Sequence, residues 1–314
     1  MNFIIIVVFF STLFISPIMV ISSSNILVIW LSLELRTFSF LPFIFSRSQT
    51  SFSSAKYFLI QRVASVIILF SFFFNHTVLS MRLMFLRLML KLGIAPFHFW
   101  VPNLARSLQI KEFLIFLIWQ KIGPLFIISF IPVLQPFIKT TLGLLRVAVG
   151  RLLGLKQTQW KQIFVFSSVN HLGWLVISRI ASFWLFVVYF IVYAISFVQT
   201  IVFNFSKIFN SSIFSFTNLR LVNLLIILSL AGLPPILGFF TKILVILYLM
   251  SYQILVPLFL IILFSVLSIF FYLKIFFSLS LTYTRFEINR GKLILLRNVI
   301  IFFAFPLIMN FYKL

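Results

Sequence analysis

Apolar residues run along this chain in blocks separated by short stretches that hold Pro, Ser, Asn or a basic residue. A helix that crosses a bilayer needs about 20 predominantly apolar residues, so each block predicts one span. The blocks fall at about 3–21, 25–46, 54–74, 83–102, 112–133, 136–155, 160–179, 183–205, 221–250, 254–281 and 295–312, about eleven spans. Two of them are interrupted. The fourth carries Gly93, Ala95 and Pro96; the ninth, too long for one simple span, carries Gly232, Pro234 and Pro235. Proline removes a backbone donor and clashes with the preceding turn, so both are expected to be helices broken at membrane depth. Such backbone survives there only where protein or water covers it.

Spans 1–5 and 6–10 make two blocks of five, and an odd number inverts the second relative to the first. In each block the fourth span is the broken one. The expected fold is therefore an all-α polytopic membrane protein with one transmembrane domain over 1–314. Its first repeat covers about 1–134, its inverted second repeat about 135–282 and its last helix about 283–314. Inverted repeats with broken helices and a midplane site are a transporter pattern.

Composition removes the soluble alternatives. Of 314 residues, 63% are hydrophobic and 9% charged, with a mean hydropathy of +1.23; a soluble surface needs several times that charge. The net charge of +22 does not point to nucleic acid, because the basic residues stand singly between apolar runs, not in a patch. They alternate by side instead. The connections after even-numbered spans carry Arg47, Lys56, Arg106, Lys111, Arg151, Lys156, Lys207, Arg220, Arg285, Arg290, Lys292 and Arg297, against Arg82, Lys139 and Arg179 at the margins of the others. By the positive-inside tendency, the N-terminus and these basic loops face the compartment of synthesis. With no cysteine, disulfides and thiolate metal sites are excluded. His76, His98 and His171 lack ligand spacing, so no metal is expected. Neither a cleavable signal nor a transit peptide is expected, since the chain enters an apolar run at once. The 46 Phe stand where Leu or Ile would serve, a sign of nucleotide bias that suits an organelle genome.

Against this background Glu34, Lys91, Lys121 and Lys242 are conspicuous, because a charge at mid-bilayer costs roughly 2.5–3.5 kcal/mol on insertion scales. Glu34 is the one acid within a span; Glu112 and Glu287 suit solvated structural roles. It reads either as a packing ion pair or as the switchable counter-ion of Lys91. Lys91 sits just before the first break, where freed carbonyls and water let an ammonium exist, with Arg87 on the same helix face. Lys121 lies deep in the fifth span. Lys242 follows the second break, and snorkelling is its alternative. His171 is either a satisfied core residue or a proton shuttle between lysines. Arg36, Arg62, Arg146 and Lys274 read as snorkelling or ion-pairing residues, and His98 as a cap on carbonyls freed by the break.

Several segments then carry a resemblance: WLSLEL from Trp30, AKYFL from Ala55, KLGIAPFHFWVP from Lys91, WQKIGP from Trp119, SSVNHLGW from Ser167 and LAGLPPILG from Leu230. In these the chain resembles the mitochondrial NADH–ubiquinone oxidoreductase chain 2 family. The match covers most of residues 30–242 and is only hydropathic beyond 250. The resemblance implies an antiporter-like fold and a core membrane subunit of respiratory complex I, in the mitochondrial inner membrane with its basic loops on the matrix side. It implies proton translocation through Glu34, Lys91, Lys121 and Lys242, coupled to ubiquinone reduction in other subunits. No cofactor is expected on this chain, since NADH, FMN, iron–sulfur clusters and ubiquinone belong to other subunits. The expected partners are other membrane-arm subunits, including neighbouring antiporter-like chains, and anionic lipid such as cardiolipin at Arg285, Arg290 and Lys292. Nucleic acid is not among them. The chain departs from the family at Arg36, where Asn is usual, at Asn103, where Glu is usual, and at Arg62, where an uncharged residue is usual. A cation/proton antiporter subunit of the Mrp type and a purely structural membrane scaffold are the rival readings.

Overall fold

A computed structural model of the chain describes residues 3–45, 51–73, 78–94, 97–130, 136–209, 226–232, 237–251 and 255–281. Its helices are α1 (Phe3–Ser22), α2 (Ile26–Phe45), α3 (Ser51–Phe73), α4 (Val78–Leu92), α5 (Trp100–Ser107) and α6 (Ile110–Leu114). A π-helical stretch, Ile115–Trp119, joins α6 to α7 (Gln120–Phe130). Then come α8 (Pro136–Leu155), α9 (Trp160–Ala181), α10 (Phe183–Phe209), α11 (described over 226–231), α12 (Leu237–Ser251) and α13 (Leu255–Leu281). Among the described residues there is no strand. The chain is an all-α polytopic membrane protein. The expected last helix, Arg47, His76, Arg220, Glu287 and the lipid-site residues Arg285, Arg290 and Lys292 lie outside the described residues.

Helix α2 shows how such a sequence folds in lipid. Leu27, Leu31, Leu35 and Phe38 form an exposed stripe at three- to four-residue spacing, while Ser32, Glu34, Arg36, Thr37 and Ser39 are buried. The apolar face is turned outward and the polar face inward, as hydrocarbon solvent demands. Four described helical stretches are long and apolar enough to cross a membrane: Ile26–Phe45, Ile110–Phe130, Trp160–Ala181 and Phe183–Ile201.

Both expected breaks are present, and each turns on a glycine. Gly93 has φ +61°; its N–H donates to Leu90 and the N–H of Ile94 donates to Met89. That is the Schellman termination of α4, which needs a left-handed residue and selects Gly. Gly232 has φ +81°, and its N–H donates to the carbonyls of Leu228 and Ser229. It ends α11 in the simpler left-handed cap.

The helices group into two compact units, Met1–Lys139 with Phe164–Val169, and Thr140–Ile163 with Asn170–Leu314. In the first, α2 packs on α1, α3 and α7, while α4 packs on α3 and α7. Pro17 lies within α1, and having no N–H it leaves the Leu13 carbonyl without its helical donor. The indole Nε1 of Trp119 takes up that carbonyl at 2.9 Å, alongside the Ser16 hydroxyl. In the second unit, α12 packs on α10 and α13. There Gly143 and Gly173 bring α8 and α9 together: a Cβ on Gly173 would lie 2.7 Å from the Gly143 carbonyl oxygen.

Five basic residues expected in connections lie within helices instead: Lys56 in α3, Arg106 in α5, Lys111 in α6, Arg151 in α8 and Lys207 in α10. Of these Arg151, about one turn before the end of α8 at Leu155, is fully buried.

Candidate functional site

In the first unit, α2 and α4 bring Glu34 and Lys91 together. Lys91 Nζ donates to Glu34 Oε1 at 3.2 Å, and both side chains are buried. Lys91 stands in the last turn of α4, where the carbonyl end of the helix dipole favours a cation. Its backbone carbonyl, left over by the Schellman turn, accepts from Gln61 Nε2 at 3.2 Å. Gln61 thus caps one carbonyl at this break, and the buried His98 ring lies against Phe99 and Phe166.

Glu34 has a second partner. Arg62 Nη1 on α3 lies 2.9 Å from Glu34 Oε2. The Arg62 guanidinium rests on the rings of Phe38, at 3.8 Å, and Phe58, at 4.9 Å, a cation–π arrangement. Of the two readings open for Arg62, ion pairing is the one its geometry supports. Arg36 and Arg87 are buried and within electrostatic reach of Glu34. Sequence spacing puts Arg36 on a different helix face from Glu34, yet α1, α3 and α7 enclose α2 from several directions, so both faces are interior. Gly123 makes room for it: a Cβ there would lie 2.9 Å from Arg36 Nη1.

Lys121 is buried at the start of α7, two residues after the π-helical stretch ends. Single-turn π segments widen a helix locally and occur often at functional sites. Nothing in the amino-acid pattern announced this one.

In the second unit Lys242 reaches back from α12 to the end of α11. Its Nζ donates to the carbonyls of Ala231 at 2.7 Å and Leu230 at 3.3 Å, the acceptors that the Gly232 cap leaves over. Gly232 is required twice here, for its positive φ and because a Cβ would collide with Lys242 Nζ. Freed carbonyls thus hold the Lys242 ammonium, whereas a carboxylate holds that of Lys91. Buried among protein atoms, Lys242 does not snorkel.

His171 on α9 is buried, and its Nδ1 lies 3.1 Å from the Tyr189 hydroxyl. Beside it is a small cavity lined by His171, Tyr189, Tyr193, Ser196, Ser229, Leu230, Gly238 and Thr241, with room for about one water. Arg151 is within electrostatic reach of Lys242, Tyr189 and Tyr272.

Charge in the interior is one-sided. Arg36, Arg87, Lys91, Lys121, Arg146, Arg151 and Lys242 are buried, against the single buried carboxylate of Glu34 among the described residues. No guanidinium nitrogen of Arg87 or Arg151 has a hydrogen-bond partner there. Clusters of His, Cys, Asp and Glu able to hold a metal are absent among the described residues.

Residues 74–271 match the family described as NADH:quinone oxidoreductase/Mrp antiporter, TM. The chain is 36% identical to NADH-ubiquinone oxidoreductase chain 2 of Anopheles gambiae over 292 residues, covering 87% of this chain and 85% of that one. It is 32% identical to the Mus musculus protein of the same name over 305 residues, covering 90% and 88%. Its fold resembles a chain of respiratory complex I from Thermus thermophilus solved with bound aureothin. There the TM-score is 0.74 at 22% identity, covering 87% of this chain and 69% of that one.

Proposed function

The chain belongs to the NADH-ubiquinone oxidoreductase chain 2 family, and from that premise we propose that it passes protons across the membrane through buried bases. It is a membrane subunit of H+-translocating NADH:ubiquinone oxidoreductase, complex I. In this reading Lys91, Lys121 and Lys242 hold and release protons, His171 shuttles between lysines, and Glu34 is the counter-ion whose pairing with Lys91 changes. The energy comes from quinone reduction in neighbouring subunits and arrives as a change in charge pairing. NADH, FMN, iron–sulfur clusters and ubiquinone are bound by other subunits.

The observation that carries this reading is the buried excess of basic side chains over Glu34. Like charges held close in a low-dielectric interior repel strongly, and unpaired buried ions are expensive. Arginines stay charged, whereas a lysine can exist as the neutral amine. A set with several lysines and one carboxylate is therefore suited to holding protons on some members at a time. A scaffold gains nothing from that arrangement.

The reading places the chain in the mitochondrial inner membrane, with the N-terminus and the basic loops on the matrix side. Other membrane-arm subunits, neighbouring antiporter-like chains among them, flank it, and anionic lipid such as cardiolipin sits at its basic loops. A cation/proton antiporter of the Mrp type is favoured by one observation, the shared family description, and predicts sodium-dependent transport.

Lys121→Ala tests the proposal in vesicles of the assembled complex. The expected result is a lower proton yield per NADH oxidised, with no dependence on sodium. Full proton yield in an assembled variant is the scaffold result and would refute the relay. Sodium-dependent yield would favour the antiporter.

A further inference from the structure

Glu34 is held by two cations of different character. The Lys91 side chain is wholly enclosed, while that of Arg62 is 31% exposed. Arg62 is also held independently of the lysine, by the faces of Phe38 and Phe58. A guanidinium does not give up its proton in a protein, and an amine can. One oxygen of the carboxylate therefore faces a permanent cation and the other a conditional one.

We propose that Arg62 is the fixed counter-ion of Glu34, a positioning residue that keeps the carboxylate anionic and in place when Lys91 releases its proton. The inference deepens the relay reading and rests on it. With Lys91 protonated, the three side chains carry one net positive charge. When the proton leaves Lys91 Nζ for a water, the lysine becomes a neutral amine and the Arg62–Glu34 pair remains neutral overall. Without Arg62, the same release would strip the carboxylate of both its ion-pair partners in an interior where an unpaired anion is costly. The carboxyl group would then take up a proton itself, and the exchangeable site would move from lysine to glutamate.

The other charged or titratable groups around Glu34 do not replace Arg62. Arg36 on α2, Tyr57 on α3 and Arg87 on α4 interact with it electrostatically, and Lys121 is carried by α7, which packs on α2. Among the described residues the ion pairs of Glu34 are those to Lys91 and Arg62. The sequence left Arg62 between snorkelling and ion pairing and did not name its partner, since Arg62 lies in the next span.

Infrared difference spectroscopy of the assembled complex during redox cycling reads the protonated carboxyl group directly. The wild type is expected to show no carboxylic C=O band that Glu34→Gln removes. Arg62→Leu is expected to gain such a band, lost again when Glu34→Gln is added, and Arg62→Lys to lack it. Arg62→Gln carries the same expectation as Arg62→Leu and stands in for it if that variant fails to assemble. A Glu34-dependent band in the wild type, or none in an uncharged variant, overturns the proposal. Failure of the relay reading appears elsewhere, as full proton yield in Lys121→Ala, which leaves the carboxyl band unaffected.

Discussion

Each buried cation at this site is tolerated for a different reason, and the reason decides what its removal does. Lys242 fills the open end of α11, where two carbonyls accept from its Nζ. Lys242→Met therefore leaves two buried acceptors without their donor, and each unsatisfied group costs about 1–3 kcal/mol. Thermal unfolding of the assembled complex should begin at a lower temperature in this variant, whatever happens to pumping; an unchanged profile would mean that these bonds contribute nothing. Lys91 differs, since Glu34 has a second partner in Arg62, 2.9 Å away in the intact protein, that removing the lysine does not delete. Glu34 and the three lysines could be read from the sequence because a charge in an apolar run is conspicuous. Of their partners, only the pairing of Glu34 with Lys91 was expected. Arg62, Gln61 and the α11 carbonyls lie far along the chain or in the backbone, and no local pattern encodes a contact between spans.

At the scale of elements, glycine and proline announced both breaks, because a left-handed turn and a missing donor have few other sequence signatures. The π-helical stretch Ile115–Trp119 had no such mark: it holds neither glycine nor proline. Helix α9 carries the test of topology. Lys156 and Ser182 are exposed at its two ends, and the wild-type chain has no cysteine. Lys156→Cys and Ser182→Cys should react with an impermeant thiol reagent from opposite faces of the membrane, Lys156→Cys from the matrix face. Labelling of both from one face would remove α9 from the list of spans and overturn the positive-inside orientation.

Over the whole molecule, large apolar side chains on the surface and polar or charged ones among the buried residues follow from the solvent, and composition alone made that legible. What composition left open is whether the interior cations are structural or conduct. Buried bases outnumber the buried carboxylate among the described residues, so the chain cannot neutralise them all by internal pairing. In the proposed relay some of these bases exchange protons during turnover. Lys91→Ala is the cleanest variant for judging it, because the remaining ion pair at Glu34 keeps the site folded. The decisive measurement is the number of protons moved per NADH oxidised by the assembled Lys91→Ala complex in sealed vesicles. A clear fall in that ratio is predicted; a ratio equal to that of the wild type would contradict the account.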